Sequence, residues 1–402
     1  MRFPGFEGEW DTRKLGELMD FKVTNSFSRD DLNYEMGNTK NIHYGDIHTK
    51  FQTLFDITKE KVPYINEDIS LNRISKDFYC KEGDIVFADA SEDLNDVGKS
   101  IEIFNLNNEK VLSGLHTLLA RPRESYFQPG FLGYLLKSNN VRSQIKKEAQ
   151  GSKVLSINGG RISSIELSCP LQTEQKRITD FLSVIDHRIT TQSKIIDNLQ
   201  SQIKELTKRI VSREIKLKDN NDTYFSEWEF KLGNEVFNNI SNKNHNSDLP
   251  ILAITQEYGA IPRNLIEYQI SVTDKSVESY KVVEIGDFII SLRSFQGGIE
   301  YSSYKGICSP AYIILRAKIE INNDFYRYYL KTDSYIKSLN EKLEGIRDGK
   351  MISYKYFSDI SLPYPSLKEQ NKITAIFIAL EQKIKIEKDI LSAYEKQKQY
   401  LL

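Results

Sequence analysis

The sequence predicts an α+β chain made of two tandem, pseudo-symmetric mixed α/β bodies. Each body is followed by a long helix, and the two helices pack as an antiparallel coiled coil. Three observations predict this. The chain is written twice, each copy ends in a heptad-patterned stretch, and the remainder of each copy mixes short apolar runs with turn residues.

The duplication is read from matched motifs in one order. Glu9-Trp10 with Lys14-Leu15-Gly16 recurs as Glu227-Trp228 with Lys231-Leu232-Gly233. Gly83-Asp84-Ile85-Val86 recurs as Gly286-Asp287-Phe288-Ile289, and Phe131, Tyr134, Leu136 and Lys137 recur as Phe325, Tyr328, Leu330 and Lys331. Lys153-Val154-Leu155-Ser156 returns as Lys350-Met351-Ile352-Ser353. The longest match is Pro170-x3-Glu174-Gln175-x2-Ile178 against Pro365-x3-Glu369-Gln370-x2-Ile373. Earlier offsets drift, so the copies differ by small insertions.

The elements follow in order. Residues 1–169 form the first body, with a strand-like run at Asp84–Phe87 and a helical stretch around Phe131–Glu148. Pro170 announces the first long helix, over 170–218. Residues 219–364 form the second body, with a strand-like run at Asp287–Ile290 and a helical stretch around Phe325–Leu343. Pro363 and Pro365 announce the second long helix, over 365–402.

Both helices carry a heptad seam. Ile178, Leu182, Ile185, Ile189, Ile196, Leu199, Ile203, Leu206 and Ile210 fall at steps of four and three, with Gln192 taking one place. The second seam reads Ile373, Phe377, Leu380, Ile384, Leu391 and Tyr394, with Glu387 taking one place and Lys398 and Leu401 continuing it. A polar seam residue either fixes register or marks a solvated fray point. Each narrow stripe needs a partner, and the economical partner is the other helix. An antiparallel pairing gives the chain an internal pseudo-twofold axis. At 1.5 Å per residue the first helix is roughly 60 Å long. It could act as a ruler between two readers on duplex DNA.

Composition narrows the function. With 402 residues the chain exceeds one ordinary core. No apolar run approaches the ~20 residues of a membrane helix, and no signal peptide opens it. Cys80, Cys169 and Cys308 stand far apart, which argues against a disulfide framework or zinc site and points to a reducing cytoplasm. The net charge is −1, from 55 basic and 56 acidic residues. Any grip on DNA must therefore come from local basic patches or from partners.

Catalytic motifs are missing. Gly98-Lys99-Ser100 ends like a phosphate loop, but Asp93 stands where that pattern needs glycine, and Met351 spoils Gly349-Lys350. The five histidines, His43, His48, His116, His187 and His245, show no ligand spacing. Glu214 and Lys216 read as a solvated pair near a helix end, so no metal site is expected.

Together these residues resemble a known family. Arg2-Phe3-Pro4-Gly5-Phe6 with Glu9-Trp10, Pro170-x3-Glu174-Gln175-x-Arg177-Ile178 with Phe181-Leu182, and Pro363-x-Pro365-x3-Glu369-Gln370 resemble the specificity subunits of type I restriction–modification systems. Asn41-x2-Tyr44-Gly45-Asp46-Ile47 and Ala88–Asp93 look like one type of recognition domain; Ile289–Arg293 and Ser309–Tyr312 look like another. Cys169-Pro170-Leu171 departs from the family's short Pro-rich run.

The resemblance implies a non-catalytic DNA-binding subunit. Each body would be a target recognition domain reading one half of a split site in double-stranded DNA. The helices would set the gap and dock two methyltransferase subunits. S-adenosylmethionine, ATP and magnesium would belong to those partners and to two motor-nuclease subunits, with no cofactor in this chain and no membrane involved. For base contact we single out Arg293 and Gln296, in the Gly-flanked turn ending Gly297-Gly298. Arg and Gln supply guanine- and adenine-type pairings. A second cluster is Arg347, Lys350, Tyr354 and Lys355, and the first body contributes Lys99, Ser100, His116, Lys153 and Arg161. Repeats and heptads alone fit a rival, a coiled-coil scaffold joining two protein partners without DNA readout. A fused nuclease or methyltransferase is disfavoured, because no residues remain beyond the two copies.

Overall fold

A computed structural model describes residues 2–123, 126–245, 248–266, 277–341 and 352–402. The chain forms two compact units, Met1–Thr191 with Ile390–Leu402, and Gln192–Asp389. These units cut the chain differently from the element boundaries at 169, 218 and 364. Each long helix is shared, because each part of it packs on the body it adjoins.

In the first unit a five-stranded sheet runs in the order Met19–Lys22, Thr117–Pro122, Ile85–Ala88, Ser100–Asn105 and Leu54–Asp56. All pairs are antiparallel except the last, which is parallel. In the second unit Phe237–Ile240, Ile313–Ala317, Phe288–Ile290 and Glu300–Tyr301 repeat the first four strands in the same order. The opening strands repeat as well: Asp11–Lys14 pairs with Glu166–Cys169, and Glu229–Leu232 with Ser361–Tyr364. The expected strand runs are therefore central strands, and the duplication is structural.

The sheets are held by buried apolar faces and by one repeated ion pair. Phe237, fully buried, meets Phe288 and Tyr326 edge-on at 5.3 Å each. Just before strand Ile85–Ala88, Asp84 takes Arg121 of the neighbouring strand through both carboxylate oxygens at 2.8 Å. Just before Phe288–Ile290, Asp287 takes Arg316 of its neighbour the same way at 2.7 Å. This is the work of the aspartate in both Gly-Asp motifs.

The helical stretches are each split in two: Phe131–Leu135 and Asn139–Glu148, then Asn323–Tyr329 and Asp333–Glu341. Ser138 causes the first break by capping Val141 with its hydroxyl. The long helices span Gln172–Val211 and Leu367–Leu401. The first stops short of 218 because Arg213 turns left-handed, at φ 64°. Its guanidinium then reaches Glu369 at 2.7 Å and covers the Trp228 ring at 4.8 Å.

Within each unit the helices run antiparallel. In the first unit Arg188 lies over Tyr394, Asp186 bonds Lys398, and Leu182 clusters with Leu401. In the second, Gln192 donates to the Glu387 carboxylate at 2.5 Å, while Ile210 joins the cluster of Ile373 and Phe377. The copied polar interruption is thus a paired register mark and not a fray point; the two positions lie 195 residues apart.

The Pro-x3-Glu-Gln motif is an anchor. Gln175 returns its amide to Pro170 O at 3.0 Å and accepts from the Gln128 amide at 2.8 Å. Gln370 does the same with Pro365 O at 2.9 Å and the Asn322 amide at 2.8 Å. Gln370→Ala should leave a buried donor and a buried acceptor unmet, costing about 2–3 kcal/mol. A lowered urea midpoint at unchanged slope would register it. An unchanged midpoint would remove the anchoring role.

The three cysteines are free and buried, and burial pushes the Cys169 and Cys308 thiols up to about 12. Among the described residues no helix is long and apolar enough to cross a membrane, and no group of His, Cys, Asp or Glu could hold a metal.

Candidate nucleic-acid interface

In the first unit the loop from Ala88 to Lys99 leaves one central strand and returns in the next. Asp89 is its pivot. Its amide donates to His116 O at 3.0 Å, its carboxylate lies 3.3 Å from His116 Nδ1, and its carbonyl accepts from Ile157 at 2.8 Å. Ala90 and Ser91 pair with Ser156 and Leu155, which brings the exposed Lys153 segment alongside. Lys99 pairs with Asp96 at 2.5 Å and reaches His48 O at 3.4 Å. The fold thus gathers Lys99, His116 and the Lys153 segment, far apart in sequence, around one loop.

An aromatic shelf adjoins them that sequence reading did not select. Tyr44 meets His43 at 4.6 Å, His116 at 5.3 Å and His48 at 5.8 Å. His116 is half exposed and left-handed at φ 54°, a conformation uncommon outside glycine. His43 caps the Tyr44–Thr49 helix by accepting from the Gly45 amide at 3.2 Å, which requires a neutral ring. Burial, aided by Arg29, holds its pKa down to about 4. Asp46, fully buried, anchors Arg29 at 2.7 Å and Lys50 at 2.8 Å. Burial opposes its ionisation, but those two cations keep its carboxyl below the usual range. In the sequence this shelf shows only as the Asn41-x2-Tyr44-Gly45-Asp46-Ile47 run of the family resemblance, flanked by His43 and His48, which have no ligand spacing.

In the second unit Arg293 and Gln296 are both exposed on a turn built for close packing behind them. Gly298 sits at φ 82°, where a Cβ would lie 2.1 Å from Leu330 O. Asn340 ties the turn down by donating to Phe295 O at 2.8 Å. Gln256, in the hairpin between Leu252–Thr255 and Gly259–Pro262, reaches Arg293 O at 3.4 Å. That hairpin adds the exposed ring of Tyr258. Two donors of the guanine- and adenine-reading types thus stand on a braced turn.

Two expected contacts are corrected. Ser100 is 3% exposed inside the sheet, where polarity did not mean surface, so its hydroxyl is not offered to a base edge. Tyr354 packs on the core and donates its hydroxyl to Phe237 O at 2.9 Å, so the phenol holds a strand. Arg161 is partly committed too, since its guanidinium binds the Glu148 carbonyl at 3.1 Å and carboxylate at 3.2 Å. Lys355 is exposed on the short helix Tyr354–Ser358. Arg347 and Lys350 lie outside the described residues.

Comparison with known proteins gives a consistent result. The family described as type I restriction modification DNA specificity domain matches residues 7–201 and again 226–396. The chain is 28% identical over 416 aligned positions to a putative type I restriction enzyme MjaX specificity subunit of Methanocaldococcus jannaschii, covering 98% of this chain and 92% of the relative. Its fold is similar to that of the type I restriction–modification S subunit from M. genitalium, at TM-score 0.52 and 16% identity, over 98% of this chain and 94% of the other. It is also similar to a chain solved in work on complex assembly and conformational transition of the type I R-M system. There the TM-score is 0.59 at 16% identity, over 100% of this chain and 97% of the other.

Proposed function

The chain belongs to the type I restriction–modification DNA specificity family, and from that premise we propose that each unit reads one half of a split DNA site while the long helices set the gap between halves. Recognition of DNA sequence, without catalysis, is the family's function. One observation carries the finer reading. The two units share a frame down to the Asp84–Arg121 and Asp287–Arg316 pairs, yet carry different loops upon it. The first presents the Ala88–Lys99 loop with its Tyr44 shelf; the second presents the Arg293 turn and the Gln256 hairpin. A shared frame under different tips suits two half-sites of different sequence.

In this reading the helices also dock two methyltransferase subunits that bring S-adenosylmethionine. Two motor-nuclease subunits using ATP and magnesium join for restriction. The work is done in the cytoplasm, on double-stranded DNA. Near-zero net charge fits a reader whose partners supply much of the positive field.

Methylome sequencing of cells expressing the chain with its methyltransferase partner should yield one bipartite consensus. Arg293→Ala should relax one half of it, with ~1–3 kcal/mol of discrimination lost at the contacted base and the other half kept. Unchanged preference at both halves would remove Arg293 from base contact. A methylome without any bipartite motif would overturn the split-site reading.

A further inference from the structure

A cavity of about 400 Å³ lies wholly within the first unit, where the body meets the first long helix at Asp186 and Ile189 and the C-terminal end of the second. Lys99, Lys137, Arg142 and Lys398 line it, against the acids Asp186 and Glu395. Two of the cations are answered: Lys99 by Asp96 at 2.5 Å, and Lys398 by Asp186. The other two have no carboxylate within ion-pair distance among the described residues. Lys137 donates to the Thr53 hydroxyl at 2.8 Å. Arg142 places Nη2 on the carbonyls of Asn95 at 3.0 Å and Val97 at 2.8 Å, leaving Nη1 buried with no acceptor.

Buried cations without a counter-charge are costly, and proteins seldom keep them unless something answers them. The cost registers here. Burial, with Lys398 adding to it, pulls the Lys137 ammonium down to about 8, and burial also lowers Arg142. The second copy supplies the contrast. Lys331, the repeat of Lys137, lies 2.5 Å from the buried Glu300 carboxylate. In the first unit the nearby strand carboxylate, Glu102, is already occupied by the amides of Gly130 at 2.5 Å and Gly133 at 2.7 Å. The duplicated lysine is therefore neutralised in one copy and left open, facing a cavity, in the other.

We propose that this cavity is an oxyanion site that takes a phosphate group, held by Lys137, with Arg142, Lys99 and Lys398 adding positive field. At ~30 Å³ per water the cavity has room for a phosphate and several waters. The phosphate can come from the DNA backbone or from a free phosphate-bearing molecule. The backbone is favoured because Lys99 belongs both to this cavity and to the Ala88–Lys99 loop. In that form the inference rests on the proposed DNA reading. It would place a local phosphate grip on a chain whose net charge supplies none.

The test uses the full chain and inorganic phosphate, titrated calorimetrically against chloride at constant ionic strength. Saturable binding is expected, weakened at least about tenfold by Lys137→Met and by Arg142→Gln. Lys137→Met removes an unanswered half-buried charge, so its melting temperature should not fall; Arg142→Gln provides a second reading if it does. In a parallel arm, duplex binding is followed across salt concentrations. Losing one phosphate contact should reduce the slope of log affinity against log salt by about 0.9, equally on every sequence. Phosphate binding with an unchanged duplex slope keeps the site and assigns it to free phosphate. Absence of saturable phosphate binding together with an unchanged slope overturns the proposal. If phosphate saturates and the variants weaken it, but the wild-type chain shows no bipartite base preference, the DNA reading fails and the site stands.

Discussion

Asp84→Ala should remove about 3–5 kcal/mol of stability, because it breaks a buried pair from one side. Asp84 is 1% exposed and takes three bonds: Arg121 Nε and Nη2 at 2.8 Å each, and the Lys81 amide at 2.8 Å. Arg121 also holds the Tyr79 carbonyl and Asp77, and only 14% of its side chain is exposed. Without Asp84 the guanidinium keeps its burial and loses its main counter-charge. For a unit of this size the melting temperature should fall by roughly 6–20 °C. The matching change in the second copy, Asp287→Ala, should cost less, about 1–3 kcal/mol, because Arg316 is 41% exposed and water can answer it. Arg121 lies on the strand Thr117–Pro122, immediately after His116, so loosening it should also weaken binding to one half-site. Thermal and urea unfolding of both variants gives the ranking. Equal losses, or a loss below about 1 kcal/mol at Asp84, would show that the ion pair does not hold the frame.

The frame was largely legible in the sequence, and the face was not. Motifs such as Gly-Asp and Pro-x3-Glu-Gln repeat because each residue has a fixed job against backbone or a single partner. Such jobs constrain identity, so the copies still match. The seams were legible for the same reason, down to Gln192 and Glu387. Loop contacts are different, because they bring together residues that sequence holds far apart. Nothing in the spacing of Tyr44, His116 and Lys153 announces that they surround the loop on which Asp89 sits. Ser100 and Tyr354 misled for a related reason. The strand Ser100–Asn105 is buried on both faces over its first four residues, so period-two alternation could not mark Ser100 as internal. The repeat did single out Lys137, but only comparison of its partner with that of Lys331 gave the position meaning.

Lengthening the helices should separate two effects that a single insertion would confuse. Four residues inserted near Leu206 of the Gln172–Val211 helix add about one turn, roughly 6 Å at 1.5 Å per residue. Facing side is nearly kept. Made in that helix alone, the change slides Ile210 and Arg213 a full turn past Ile373, Phe377 and Glu369. It strands the buried Glu369 carboxylate, and a loss of about 3–5 kcal/mol is expected. A matched insertion of four residues between Phe377 and Leu380 in the opposing helix restores those contacts, because antiparallel partners on the same side of both insertions move together. Stability should then return to within about 1 kcal/mol of the parent. With register restored, only helix length differs, and ~6 Å is close to two base-pair steps of ~3.4 Å. The methylome of the doubly extended chain should show both half-site sequences unchanged and the gap between them longer by one or two base pairs. A rescued fold with an unaltered gap would mean that the helices clamp the units without measuring between them.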